Sequence, residues 1–256
     1  MLNKIIGIVK EASKIMLDDS HFNIDEKGSV YNLVTTNDIR VQEFLQKECS
    51  KLLPNSSFLC EEGNEQDTSK DYVWIIDPID GTANYTNHIP ICAICVALEY
   101  KHEIIIGVVY NPYQNALYAA EKGKGAYLNG KKIHVSDRPF NKALLYTAFS
   151  TYEKDKSHAT FAFAEHIYPF VCDLRRTGSA AFELCSVASG RGDMFLELKL
   201  QPWDFAASSI IVKEAGGFIS SLKEDELPLE VPTFVVATNT KENYRQLLEH
   251  AKKYFK

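Results

Sequence analysis

Val73-Trp74-Ile75-Ile76-Asp77-Pro78-Ile79-Asp80-Gly81-Thr82-Ala83-Asn84-Tyr85 is the stretch from which the rest of the chain is read. Its first four residues are apolar and β-branched or aromatic, and Pro and Gly follow them, which predicts a buried strand. Two carboxylates, Asp77 and Asp80, stand at the C-terminal end of that strand. A Gly-Thr pair then opens a short helix. Carboxylates at a strand end suit a hard divalent cation, which takes oxygen ligands. The N–H groups of a helix N-terminus suit a phosphate. One segment therefore offers both halves of a metal-dependent phosphate site. Taken alone, Asp-Pro and Asp-Gly are also ordinary turn dipeptides, so the flanking sequence has to decide.

Upstream, Leu2 to Asp18 reads as an amphipathic helix. A second helix begins near Asp38, with Val41, Phe44, Leu45, Cys49 and Leu52 at helical spacing and Thr36 or Asn37 as caps. The polar stretch Glu26-Lys27-Gly28-Ser29 between them reads as mobile. Around and after the central motif, strand signals follow in series at Ser57–Cys60, Val73–Asp77, Ile91–Leu98, Ile104–Tyr110 and Ala116–Glu121. Asn129-Gly130 marks a hairpin. Strands in succession without intervening helices predict an antiparallel sheet.

Beyond Arg138-Pro139 the pattern alternates. Strands are expected at Leu144–Phe149, near Leu174, and at Met194–Leu198, Phe218–Ser221 and Phe234–Thr238. Helices are expected at Ser157–Tyr168, Ser179–Ser189, Trp203–Ala215 and Lys241–Tyr254. That alternation predicts an α/β layer. The division falls near residue 138, giving halves 1–138 and 139–256 with no flexible linker. Repeats and low-complexity tracts are absent from the sequence.

The chain has 256 residues, 45% of them apolar and 24% charged, with a formal net charge of −6. That composition is ordinary for a globular protein with a sizeable core. An acidic chain without a Lys/Arg-rich block is a poor match for nucleic acid or an anionic membrane. No apolar run reaches the length of a spanning helix, and the charged N-terminal helix is unlike a signal peptide. The expected location is the cytoplasm. Of the six cysteines, Cys92 and Cys95 have redox or zinc spacing, but they lie on an expected strand, where side chains three apart face opposite ways. No second ligand pair completes a zinc set. The cysteines read as reduced core thiols. The seven histidines are scattered; His88, just after the motif, reads as a surface-loop residue.

Three further acidic positions matter. Glu61-Glu62-Gly63 follows a strand, and a solvated loop would explain it. Asp204, in Pro202-Trp203-Asp204-Phe205-Ala206-Ala207, and Asp38 each stand at a helix start, where capping alone explains an acid. Together with Asp77–Tyr85 and Glu214-Ala215-Gly216-Gly217, however, they form an ordered set that resembles the inositol monophosphatase family of the Mg²⁺-dependent, lithium-sensitive phosphatases. The resemblance runs from Asp38 through the last α/β half.

That resemblance implies an α+β fold, a layered α-β-α-β-α sandwich with an antiparallel half and an α/β half. It implies two to three Mg²⁺ ions per site. Glu61, Asp77 and the Ile79 carbonyl would hold the first; Asp77, Asp80 and Asp204 would hold the second. Glu61, Thr82 and Asp38 would be catalytic, with Thr82 hydrogen-bonded to Asp38 to orient the attacking water. The N–H groups of Gly81 and Thr82 would hold phosphate. Gly178, Ser179, Ala180, Glu197 and Asp204 would contact the substrate, and Lys27 would approach the metals from a loop. The implied reaction is hydrolysis of myo-inositol monophosphate. Relatives act instead on adenosine 3′,5′-bisphosphate, fructose 1,6-bisphosphate, histidinol phosphate or NADP, and a non-catalytic binding role is the rival of another class. The implied partners are a small phosphorylated metabolite and a second copy in a homodimer. Two positions depart from the family pattern: Cys60 precedes Glu61 where relatives often carry glycine, and Ser208-Ser209 follow Ala206-Ala207 where many carry glycine.

Overall fold

The computed structural model describes residues 1–18, 23–29, 32–63, 67–149, 154–223 and 227–255. The chain runs α1 (Leu2–Met16), β1 (Ile24–Ser29), β2 (Asn32–Thr35), α2 (Thr36–Leu52), β3 (Ser57–Cys60), β4 (Tyr72–Asp80), α3 (Thr82–Thr86), β5 (Ala93–Tyr100), β6 (Glu103–Asn111), β7 (Ala116–Glu121), β8 (Ala126–Leu128) and β9 (Lys131–Ile133). It continues through β10 (Leu144–Thr147), α4 (Ser157–Ile167), β11 (Asp173–Arg175), α5 (Ala180–Ala188), β12 (Met194–Leu200), α6 (Pro202–Glu214), β13 (Phe218–Ser220), β14 (Thr233–Thr238) and α7 (Lys241–Ala251).

Strands β3 to β9 form a seven-stranded sheet in sequence order. The period-two alternation of β4 and β5 explains why it needs helices on both faces. Trp74, Ile76, Ile94, Val96 and Leu98 point toward Ile5, Val9, Val41 and Leu45 of α1 and α2. Val73, Ile75, Cys95 and Ala97 point the other way, into a core shared with α5 and α6. That second core also takes Phe195 from β12 and Val235 and Ala237 from β14, so it spans both sheets. The five-stranded sheet, in order β11-β10-β12-β14-β13, buries its outer face under Phe163 and Ile167 of α4 and Leu247 and Leu248 of α7. The result is five layers, α-β-α-β-α, as the resemblance implied.

Helix α6 sits unusually close to the first sheet. A Cβ at Gly107 of β6 would lie 2.2 Å from the Ala207 carbonyl oxygen, so only glycine admits the approach that carries Asp204 to the end of β4. The serines at the departure from the family pattern are accommodated: the buried hydroxyls of Ser208 and Ser209 donate to the carbonyls of Phe205 and Ala206 at 3.0 and 2.8 Å. Asn129 and Gly130, both at positive φ, turn the β8–β9 hairpin as expected.

Four expectations are corrected. The first sheet is not wholly antiparallel, because β3 pairs parallel with β4; the connection after Cys60 is long enough for a crossover. The stretch Glu26–Ser29, read as mobile, has its backbone in β1, which pairs antiparallel with β2. The cap of α2 is Thr35, not Thr36 or Asn37. Thr35 and Asp38 form a reciprocal capping box, and the buried Asn37 amide donates to the Tyr85 hydroxyl at 2.8 Å instead. Finally, Cys172 is exposed while the other five cysteines are buried. Cys92 and Cys95 do fall in different cores. Among the described residues, no helix is long and apolar enough to cross a membrane.

Candidate active site

Strand β4 ends in a bulge. Its register with β5 shifts between Asp77, opposite Cys95, and Asp80, opposite Ala93. A bulge bends the strand and re-aims side chains, and here two carboxylates three residues apart come to one place. Asp77 accepts from the Ile79 N–H at 2.9 Å. Gly81, at φ +89°, then turns the chain into α3. A Cβ there would press on the Gly178 and Ile91 carbonyl oxygens at 3.1 and 3.2 Å, so glycine meets both a conformational and a steric demand. Asp204 arrives from the first turn of α6 and accepts from the Gln201 N–H at 2.8 Å. One carboxylate oxygen each from Asp77, Asp80 and Asp204 lie within 4.8 Å of one another. Glu61 follows β3; its N–H donates to the Ile76 carbonyl at 3.1 Å, and its side chain shares a hydrogen bond with Asp77.

Asp80 has a second attachment. Its carboxylate accepts from the Ser179 hydroxyl at 2.5 Å, the Ala181 N–H at 2.9 Å and the Ala180 N–H at 3.2 Å. It therefore caps α5 across the junction of the two sheets, where the helix dipole favours an anion.

The electrostatics follow from burial of like charges. Burial, then the repulsion of Glu61, Asp80 and Asp204, holds the Asp77 carboxyl well above the usual range. Burial and Asp80 do the same to Asp204. Asp80 rises to about 7 through burial, partly offset by the Ser179 hydroxyl and the Ala181 N–H. Burial pushes Glu197 up to about 8, with Glu183 adding to it. Asp38 also rises to about 7 through burial, against the Thr35 hydroxyl, which lowers it. Each of these carboxylates is costly to ionise without a compensating cation.

The residues meet around a cleft of about 570 Å³. Of the described residues that line it, six are acids (Glu61, Asp77, Asp80, Glu183, Glu197 and Asp204) and one, Arg176, is a base. Gly81, Thr82, Gly178, Ser179 and Ala180 line it too, as does Ile79. Asp38 is absent from the lining. The implied Thr82–Asp38 hydrogen bond is not made. Thr82 Oγ1 donates to the Ile79 carbonyl at 3.2 Å, while Asp38 Oδ2 accepts from the N–H and hydroxyl of Thr35 at 2.7 and 2.5 Å. Capping α2 has claimed that oxygen. The other oxygen, Asp38 Oδ1, is buried without a hydrogen-bond partner. Lys27 is on β1, but its side chain lies outside the described residues. His88 is exposed and does not line the cleft.

The donor set fits Mg²⁺. It is all oxygen, with no imidazole or thiolate among the described lining residues, and hard cations of this kind prefer carboxylate and carbonyl ligands. The mutual repulsion of Asp77, Asp80 and Asp204 is what such a cation relieves.

Two lining residues escape a motif-by-motif reading of the sequence. Asn84 lies inside the opening stretch itself but carries no charge to flag it. Glu183 is the lone acid in the otherwise apolar Ala180-Ala181-Phe182-Glu183-Leu184-Cys185, a pattern that marks a buried polar role.

Comparison with known proteins places the chain among relatives. The profile of the inositol monophosphatase family matches residues 1–255. A fructose-1,6-bisphosphatase/inositol-1-monophosphatase of Aquifex aeolicus is 37% identical over 234 residues, covering 91% of this chain and 86% of that protein. The Nus factor SuhB of Escherichia coli is 34% identical over 226 residues, covering 86% and 84%. The solved inositol monophosphatase of Thermotoga maritima superposes with a TM-score of 0.87 at 28% identity, covering 97% of this chain and 95% of that one.

Proposed function

The chain belongs to the inositol monophosphatase family, and on that premise we propose that it is a Mg²⁺-dependent phosphomonoesterase cleaving myo-inositol monophosphate to inositol and phosphate. The observation that carries this reading is the trio Asp77, Asp80 and Asp204, gathered within 4.8 Å from both halves of the chain. We assign two to three Mg²⁺ ions to it. Glu61, Asp77 and the Ile79 carbonyl would hold one; Asp77, Asp80 and Asp204 would hold another. Bound Mg²⁺ would supply charge neutralisation of the dianionic ester and a lowered pKa for a water molecule.

The chain's own groups do the positioning, which in-line phosphoryl transfer requires more than covalent help. The N–H groups of Gly81 and Thr82, at the first turn of α3, face the phosphate. The ester's alcohol end meets Glu197 and the Gly178-Ser179-Ala180 turn. Glu197 in its ionised form accepts hydrogen bonds from ring hydroxyls, which favours a polyol over a nucleoside. Glu61, hydrogen-bonded to Asp77, is placed to take a proton from the attacking water. Thr82 orients that water through its hydroxyl, while Asp38, which does not line the cleft, holds the start of α2 through Thr35.

Two alternatives come from the names of relatives. The Aquifex aeolicus relative's name adds fructose 1,6-bisphosphate. The Escherichia coli relative is named a Nus factor rather than a phosphatase, which leaves room for a non-catalytic binding role that would need no turnover. A cytoplasmic homodimer is part of the proposal, and light scattering at a monomer mass would remove that part. The deciding experiment is phosphate release with Mg²⁺ from inositol 1-phosphate, fructose 1,6-bisphosphate, adenosine 3′,5′-bisphosphate, histidinol phosphate and NADP. The expected result is a preference for inositol 1-phosphate. Turnover of none of them would overturn the hydrolase reading.

A further inference from the structure

We propose that Asn84 and Glu183 are positioning residues that clamp the Thr177-Gly178 turn from opposite sides and so shape the wall that receives the alcohol end of the substrate. The proposal rests on reading the cleft as a phosphomonoesterase site. It goes beyond that reading by giving a role to two residues that touch neither phosphate nor cation.

Thr177 has every backbone and side-chain polar group engaged by these two residues. Its N–H and its hydroxyl donate to Glu183 Oε1, the hydroxyl at 2.9 Å. Its carbonyl accepts from the Asn84 amide at 2.7 Å. The Gly178 N–H adds a third bond to Glu183 Oε1 at 3.2 Å. The second hydrogen of the Asn84 amide goes to the Ile91 carbonyl at 2.7 Å, so Asn84 ties the phosphate-side motif to the turn. Gly178 itself stands at φ +88°, and a Cβ there would come within 3.1 Å of the Asn84 amide. Gly178 thus approaches both Asn84 and Gly81 too closely for either glycine to carry a side chain without a shift.

Packing alone does not require this arrangement. Glu183 is a buried acid on an apolar helix, in a cleft already rich in carboxylates. A neutral residue would cost less there. What Glu183 supplies is a single oxygen able to gather three donors.

The clamp also acts on a limited region. Ser179, Ala180 and Ala181 belong to the start of α5, which Ala181, Leu184, Cys185 and Ala188 anchor in the central core. The Asp80 contacts therefore survive loss of the clamp. Thr177 and Gly178 precede the helix and are held by Asn84 and Glu183.

The test compares two esters on the full chain with Mg²⁺: inositol 1-phosphate, and nitrophenyl phosphate, which has no hydroxyls to be received. Glu183→Ala and Asn84→Ala should each raise KM for inositol 1-phosphate by about tenfold with a smaller change in kcat. The KM for nitrophenyl phosphate should change by less than about threefold. Glu183→Gln, which keeps an acceptor oxygen, should restore most of the loss. Equal losses on both esters, or Glu183→Gln behaving like Glu183→Ala, would overturn the proposal. Should Glu183→Ala fail to fold, Asn84→Ala and Glu183→Gln carry the same comparison. A parent protein that hydrolyses nitrophenyl phosphate but not inositol 1-phosphate contradicts the substrate reading alone. The clamp is then scored on the best hydroxyl-bearing substrate of the panel, by the same criteria.

Discussion

Two places in this molecule bury aspartates, and they are built in opposite ways. At the joint between the sheets, Asp193 is wholly buried. It meets Arg138 Nε at 2.8 and 3.0 Å, the Leu144 N–H at 2.7 Å and the Ser136 hydroxyl. Its charge and its lone pairs are answered by the protein. In the cleft, buried Asp77 and Asp80 and half-buried Asp204 are set against one another and against Glu61. Backbone N–H groups and one hydroxyl answer some of their lone pairs. Arg176, the one base among the described residues lining the cleft, lies against Glu183 and Glu197. Where the chain supplies its own counter-charge the carboxylate is architecture. Where it supplies only more carboxylates, the site is completed from outside.

Asp80 carries the largest expected effect. Asp80→Asn should lower phosphate release by on the order of a thousandfold, since several kcal/mol of transition-state stabilisation depend on the cation site. Its amide oxygen can still cap α5, so the fold should hold. A variant that keeps more than a tenth of parental turnover would contradict the ligand assignment. A non-catalytic binding role would survive the substitution, which separates the two classes of function.

Asp193→Ala is the counterpart. Removing one partner of a buried pair leaves Arg138, Ser136 and the Leu144 N–H unanswered, so chemical denaturation should show a loss of about 3 kcal/mol. Turnover per folded molecule should stay within a few-fold of the parent. A stable but inactive Asp193→Ala protein would erase the distinction between the two sites.

The smallest expected effect, and the one that sharpens the comparison most, is on pH dependence. Asp38 and Asp80 rise from the usual 3.8 to about 7, and Glu197 rises from 4.5 to about 8. For acids raised in this way the folded state holds more protons than the unfolded chain between those limits. Without metal, stability is therefore greatest at the acid end of the window and falls as pH climbs from about 4 toward about 8. Thermal melts in chelator across that range should decline. A flat or rising series would mean that the cleft acids are not strained by their own charge.

Much of this was legible in the sequence, for identifiable reasons. Strand β4 announced itself because Val73–Ile76 alternate between two cores while remaining apolar on both faces. Asp77 and Asp80 followed from their place at its end. The reading failed where pairing, not periodicity, decides. Strand β1 is polar, and its order comes from β2, which leads into the Thr35–Asp38 capping box. The parallel β3–β4 pair depends on a crossover with no helix to signal it. Asp38 was legible as an acid near the site, but no local signal showed that Thr35, rather than Thr82, would claim its oxygen. Asn84 and Glu183 meet only through the Thr177-Gly178 turn, about a hundred residues from the motif, and nothing local encodes that meeting.

Whether the cleft takes a cation is read most directly from the melting temperature of the unmodified protein near pH 8, in chelator and then in millimolar Mg²⁺. A cation that binds the folded cleft and not the unfolded chain should raise it by on the order of 5 °C. An unchanged melt would mean that Asp77, Asp80 and Asp204 do not assemble a cation site.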